Sequence, residues 1–211
     1  MTIPLNPDLY HIVHIDKLSS IISNGLLSDS LVSQKQFGGT VIGLNHIKQR
    51  RLVDLTFSCY PDLHVGECVP FYFCPRSVML YMIHQGSSQL AYNDGQSQII
   101  HLRFEMDECI QWAVRSLKRW VFTSTNAGSR FFEDFNNLND LNKLDWEAIL
   151  SRYWSSCREY KQAEFLIENL VPWCLVKEIG VKNQVVFNQV TTLLVGQSHR
   201  PHVRIQPDWY Y

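Results

Sequence analysis

Short runs of β-branched and aromatic residues recur along this chain at uneven intervals, and that irregularity limits the fold more than any other feature. LYHIV (9–13), VPFYFC (69–74), IIHLRF (99–104) and WVFT (120–123) have strand character, and AEFLIE (163–168), VKEIGV (176–181) and HVRIQ (202–206) continue the series. Between them CIQWAVRSLK and VVFNQVTTLL read as helices, a short helix opens after Pro75–Ser77, and another is predicted over residues 145–153. A doubly wound sheet requires regular βαβ units. This order instead predicts an α+β fold with a mainly antiparallel sheet. Neither GxGxxG behind a strand nor GxxxxGK[ST] occurs, so a dinucleotide would have to be bound by some other scaffold.

Local signals refine the order. Asp16 is expected to cap a helix carrying Leu18, Ile21 and Ile22, with Asn24 and Gly25 ending it. Residues 28–41, SDSLVSQKQFGGTV, are polar with a Gly-Gly pair and read as a mobile loop of the kind that closes over ligands, leading into a short helix over residues 45–52.

With 211 residues, 45% of them hydrophobic and 18% charged, the chain can bury one well-filled core, and a single domain over residues 1–211 is expected. The first residues have no basic stretch followed by an apolar run, and no segment reaches the ~18 consecutive apolar residues that span a bilayer, so no membrane association is expected. Six cysteines without a CxxC pair read as reduced thiols of a cytoplasmic protein. A net charge of −1 leaves no global field to attract nucleic acid. Any such contact must use local clusters: Lys48, Arg50 and Arg51; Arg115, Lys118 and Arg119; or Arg152, Arg158 and Lys161. Such clusters are by default solvated faces.

The candidate chemistry is sparse. His11 and His14 lie three apart on a strand and point to opposite faces, a poor metal pair, and no metal is expected. Glu164 stands out because QAEFLI is otherwise apolar, and burying a lone carboxylate is costly. Its plain alternative is an ion pair with Lys161 or Arg158 at the sheet margin. Taken singly, these residues imply only a soluble α+β domain with one unusual acid.

Their order says more. YHIVHID before a helix, HIKQRR, VPFYFCPRSVMLYMI, LDWEAI, KQAEFLI and the terminal DWYY together resemble the DarT family of DNA ADP-ribosyltransferase toxins over nearly the whole chain. The resemblance implies a fold like that of the poly(ADP-ribose) polymerases, in which a split sheet with flanking helices clamps NAD as substrate. It maps the catalytic glutamate onto Glu164 and the catalytic arginine onto Arg51, the second arginine of QRR. His11, Val13 and Tyr72, with Arg51, fall on the NAD-binding positions. It further implies single-stranded DNA as acceptor, since a base must leave its stack to reach such a cleft. Trp154, Arg158 and Tyr160, in the turn before Glu164, are suited to reading it, and Asn126 stands in FTSTNAG where thymidine-modifying members carry a histidine. The compact chain ending in DWYY favours thymidine over guanosine. A macrodomain antitoxin that removes ADP-ribose is the implied partner. The competing readings are transfer to RNA or protein, a metal-independent ribonuclease using His11, Arg51 and Glu164 as an acid–base set, and a nucleic-acid-binding module without activity.

Overall fold

The computed structural model describes residues 3–211. In chain order the strands are β1 (Asp8–His14), β2 (Leu26–Leu27), β3 (Cys68–Tyr72), β4 (Ile99–Glu105), β5 (Trp120–Thr123), β6 (Asp134–Phe135), β7 (Glu164–Glu168), β8 (Leu170–Val171), β9 (Glu178–Val181) and β10 (His202–Ile205). The helices are α1 (Leu18–Asn24), α2 (Asp29–Lys35), α3 (Asn45–Val53), α4 (Val78–His84), α5 (Met106–Arg115), α6 (Trp146–Leu150) and α7 (Gln184–Leu193). Eight strands form one sheet in the order β10-β9-β4-β1-β3-β7-β5-β6, and β2 pairs with β8 beside it. Every neighbouring pair is antiparallel except β9 with β10, as the irregular alternation predicts.

The sheet is split at its centre. β1 pairs along its whole length with β4, and β3 pairs through five residues with β7, but β1 and β3 meet only where Tyr10 faces Tyr72. Pro70 lies on this seam and has no backbone N–H to donate across it. Its carbonyl instead accepts from Nδ1 of His11 on β1, at 2.8 Å. A proline in mid-strand thus opens the seam, and a histidine bridges it.

Alternation along the strands separates core from site. Phe165 and Ile167 of β7 join Phe71, Phe104 and Trp146 in the largest apolar cluster, whereas Leu166 packs with Phe57, Leu63 and Val121 in another. Glu164 follows the parity of Leu166 and so turns away from the main core. A third cluster, around Leu80, Ile83, Tyr92 and Tyr210, covers the α4 side.

Four local expectations need correction. Asp16 does not cap α1: the residue before that helix is Lys17, and no side chain caps it. The Asp16 carboxylate instead accepts from the backbone N–H and the hydroxyl of Thr40, at 2.9 and 2.7 Å, and ties down the chain entering α3. The stretch 28–41 is not all loop, because Ser28 caps α2 by accepting from the Leu31 N–H. The helix expected over 145–153 stops at Leu150, where Ser151 leaves helical geometry at ψ 135°. Lys161, counted among the solvated cations, is 3% exposed, and its ammonium donates to the carbonyls of Ile149 and Ser151 at 2.7 and 2.8 Å. A lysine from downstream thus caps the end of α6.

Candidate active site

α3 is a helix without a buried face. Its sequence, NHIKQRRLV, is too polar to dock by apolar burial, and it is fastened by its cations instead. Lys48 reaches Asp29 of α2 at 2.6 Å, Arg50 donates to the carbonyl of Gly128, and Arg51 pairs with Glu164 at 2.5 Å. Glu164 is 2% exposed and sits opposite Tyr72 in the sheet register. The same Oε1 that meets Arg51 also accepts the backbone N–H of Ala127 at 3.1 Å. The unusual acid is therefore paired, with a residue 113 positions away. Neither Lys161 nor Arg158 is its partner.

Asn126 completes the arrangement. Its Oδ1 accepts from Arg51 at 3.2 Å and from the Gly128 N–H at 2.6 Å, while Nδ2 donates to Gln162 at 3.3 Å. Gly128 is required by closeness: a Cβ there would lie 2.7 Å from Ile47 Cγ2 and 2.8 Å from Asn126 Oδ1. Two guanidinium nitrogens in this region, Nε of Arg50 and of Arg51, are buried without a partner. Such orphaned donors are costly unless something accepts from them.

This network borders a cleft of about 480 Å³, within the usual range of ligand pockets. The cleft runs from the seam residues His11, Val13 and Tyr72 past Arg51 and Asn126 to Met79 and Met82 of α4. Glu164 does not itself line the cleft: Arg51 lies over it.

Burial gives the titratable groups definite states. Desolvation lowers the His11 pKa to about 4, against the opposing hydrogen bond to Pro70, so the ring is neutral near pH 7. Since Pro70 offers only an acceptor, Nδ1 carries the proton and Nε2 keeps a lone pair. Burial and then the Glu164 charge push the Tyr72 phenol upward, so it stays protonated. Burial, the largest single influence, would lower the Arg51 pKa, but the charge and hydrogen bond of Glu164, helped by Tyr72 and Asp29, together turn the net direction upward.

The sequence-predicted residues divide in two. Glu164, Arg51, His11, Val13, Tyr72 and Asn126 converge on the cleft or its floor, and exposed Arg158 stands on its rim. Trp154 and Tyr160 do not reach it. Trp154 packs edge-on against Tyr81, and Tyr160 faces a separate hollow with Thr125 and Phe131. Gln162, the Ala127 amide and Gly128 were not singled out from the sequence. Gln162 could have been, since it lies two residues before Glu164 in the same short string. The Ala127 amide has no side-chain signal and appears only in three dimensions. Among the described residues no three His, Cys, Asp or Glu side chains are grouped closely enough to hold a metal, and no helix is long and apolar enough to cross a membrane.

The chain has relatives and solved structures that match it over its full length. The family described as "ssDNA thymidine ADP-ribosyltransferase, DarT" matches residues 10–211. A DNA ADP-ribosyl transferase of Thermus sp. (strain 2.9) is 38% identical over 216 residues, covering 100% of this chain and 99% of that protein. One from Thermus aquaticus is 36% identical over 210 residues, covering 99% of this chain and 90% of the other. The solved structure of Thermus sp. 2.9 DarT in complex with ADP-ribosylated ssDNA superposes with a TM-score of 0.88 at 37% identity, over 100% of this chain and 99% of that one. The same protein in complex with NAD+ gives 0.82 at 35% identity, covering both chains fully. A polar helix fastened by Arg51 over a buried glutamate, beside a seam in a mainly antiparallel sheet, thus occurs within a full-length match to one family, and the chain belongs to the DarT family of ADP-ribosyltransferases.

Proposed function

We infer that this protein transfers the ADP-ribosyl group of NAD to a thymidine base in single-stranded DNA and releases nicotinamide, acting as the toxin of a toxin–antitoxin pair. The observation that carries the reading is the Arg51–Glu164 pair under the seam cleft, in a chain whose family is described by that reaction. The cleft residues fit NAD. Nε2 of His11 offers an acceptor to a ribose hydroxyl, the orphaned arginine Nε donors suit phosphate or carbonyl oxygen, and Met79 and Met82 give an apolar wall.

In the reaction the bond from nicotinamide to ribose C1′ breaks, and a ring nitrogen of the base forms a bond to the same carbon. Positive charge develops on the ribose as the leaving group departs, and a carboxylate beside it lowers the barrier. Glu164 is the carboxylate, oriented by the Ala127 N–H. It also takes the proton that the attacking nitrogen must lose. Arg51, relieved of Glu164 as substrate enters, polarises a base carbonyl and eases that deprotonation. Arg158 on the rim is placed for the DNA backbone or a neighbouring base, with Trp154 and Tyr160 on the same segment farther out. Asn126 holds Arg51 and Gln162 in register.

The ribonuclease reading is weaker. It needs a protonated acid at neutral pH, and burial lowers the His11 pKa, against that role. We take the chain as one catalytic domain over residues 1–211, acting in the cytoplasm without a metal, with a macrodomain antitoxin as the partner that its family resemblance implies.

An acceptor panel tests the reading. Labelled NAD should mark a single-stranded oligonucleotide containing thymidine, and substituting every thymidine by another base should abolish the label. Equal labelling of duplex DNA, RNA or protein would contradict it.

A further inference from the structure

Residues 152–160 carry Arg158 to the rim of the cleft, yet they are barely tethered. Their backbone hydrogen bonds are local, Cys157 donating to Trp154 at 3.0 Å and Lys161 to Cys157 at 3.1 Å. Ser151 and Gln162 add side-chain bonds to the carbonyls of Tyr153 and Arg158. Among the described residues, one hydrogen bond joins this stretch to anything outside residues 151–163: the indole N–H of Trp154 donates to the phenolic oxygen of Tyr211 at 2.9 Å.

Tyr211 is itself firmly fixed. Its hydroxyl donates to the carbonyl of Arg76 at 2.9 Å, and the Arg76 guanidinium lies 4.2 Å from its ring centroid. His84 stacks on the ring at an interplanar angle of 28°, and Tyr81 meets both Trp154 and Tyr211 edge-on with centroids 5.1 Å apart. Its backbone N–H donates to Gln96 at 3.0 Å. The preceding residue, Tyr210, is 4% exposed, with its hydroxyl 2.8 Å from the carbonyl of Ile99 in the sheet. Tyr211 does not line the cleft and touches neither Arg51 nor Glu164.

We propose that Tyr211 is a positioning residue for the DNA acceptor: its hydroxyl anchors Trp154, and through Trp154 holds the 152–160 segment so that Arg158 stands ready at the rim. The proposal rests on reading that segment as the acceptor side of the site. Without the anchor the segment must be ordered anew each time DNA binds, and that entropy opposes DNA binding alone. NAD binding and bond cleavage use residues on other elements.

Steady-state kinetics of Tyr211→Phe, varying single-stranded oligonucleotide and NAD in turn, tests this. The ring, its stacking and the cation–π contact with Arg76 persist, while the hydroxyl's bonds with Trp154 and with the Arg76 carbonyl are lost together. The expected result is a rise of roughly three- to tenfold in KM for DNA, the weight of one net hydrogen bond, with kcat and KM for NAD within about twofold of the parent. Trp154→Phe cuts the same bond from the other end. In the double variant the two effects on KM for DNA should therefore fall well short of multiplying. An unchanged KM for DNA, fully independent effects, or parallel losses in kcat, KM for NAD and thermal stability would overturn the assignment. Parent protein that modifies no DNA would overturn it together with the functional reading on which it rests.

Discussion

At the scale of single residues, the site depends on a buried acid whose partner lies far away in sequence. Glu164→Gln leaves an oxygen that still accepts from Ala127 N–H and Arg51, so the fold should persist. Transfer should fall by on the order of a thousandfold, because the neutral amide neither stabilises positive charge nor takes a proton. Single-turnover transfer beside a melting curve checks both halves. Arg51→Lys keeps the charge but shortens the reach and loses the planar guanidinium that pairs with Glu164 and Asn126, so we expect a loss of about a hundredfold in kcat/KM with the protein still folded. Glu164 was legible in the sequence as a lone acid among apolar neighbours, but its partner was not. The choice between Arg158, Lys161 and Arg51 is made by tertiary contact, and nothing local in KQAEFLI discriminates among them. Trp154 and Tyr160 were legible as aromatics near the site, but not the directions in which they point.

Among the elements, α3 shows what polarity does to docking. Its position relies on Lys48, Arg50 and Arg51 rather than on an apolar stripe, and Gly128 supplies the space into which it fits. Gly128→Ala should push Ile47 and Asn126 outward. A loss of about tenfold in kcat/KM is expected, with faster amide exchange in α3 than in the strands, read by hydrogen exchange with mass spectrometry. Most strands could be read from period and composition because β-branched and aromatic runs form half-buried surfaces. The seam between β1 and β3 could have been suspected from Pro70 alone, a proline inside an apolar run. α2 was missed because it has no fully buried residue and so little periodicity, and the early stop of α6 because the lysine that caps it lies eleven residues beyond its last residue.

Across the whole molecule, two histidines link folding to pH. Burial holds His101, and likewise His11, near a pKa of about 4, below the ordinary 6.5. The unfolded chain therefore takes up protons first as pH falls. The contribution of these two histidines to stability should be constant above pH 6.5 and decline steadily from there towards pH 4. His101→Gln retains a donor for the Pro75 carbonyl that His101 Nε2 now contacts at 2.9 Å, and should flatten that decline in urea melts taken between pH 7.5 and 4.5. Transfer itself should show no step from His11 between pH 6 and 8, since the ring is neutral throughout. The general architecture, an α+β sheet without a Rossmann signature, was readable from element order. The family was readable from strings spread along nearly the entire chain. What no string conveys is that Arg51, 113 positions away, is the ion-pair partner of Glu164. The most direct test is intact-mass analysis of a thymidine-containing single-stranded oligonucleotide incubated with NAD and either the parent protein or Glu164→Gln. The expected result is a gain of one ADP-ribose unit, localised by fragmentation to a thymidine, with the parent and none with the variant. An unmodified oligonucleotide with the parent, or equal modification by both proteins, would contradict it.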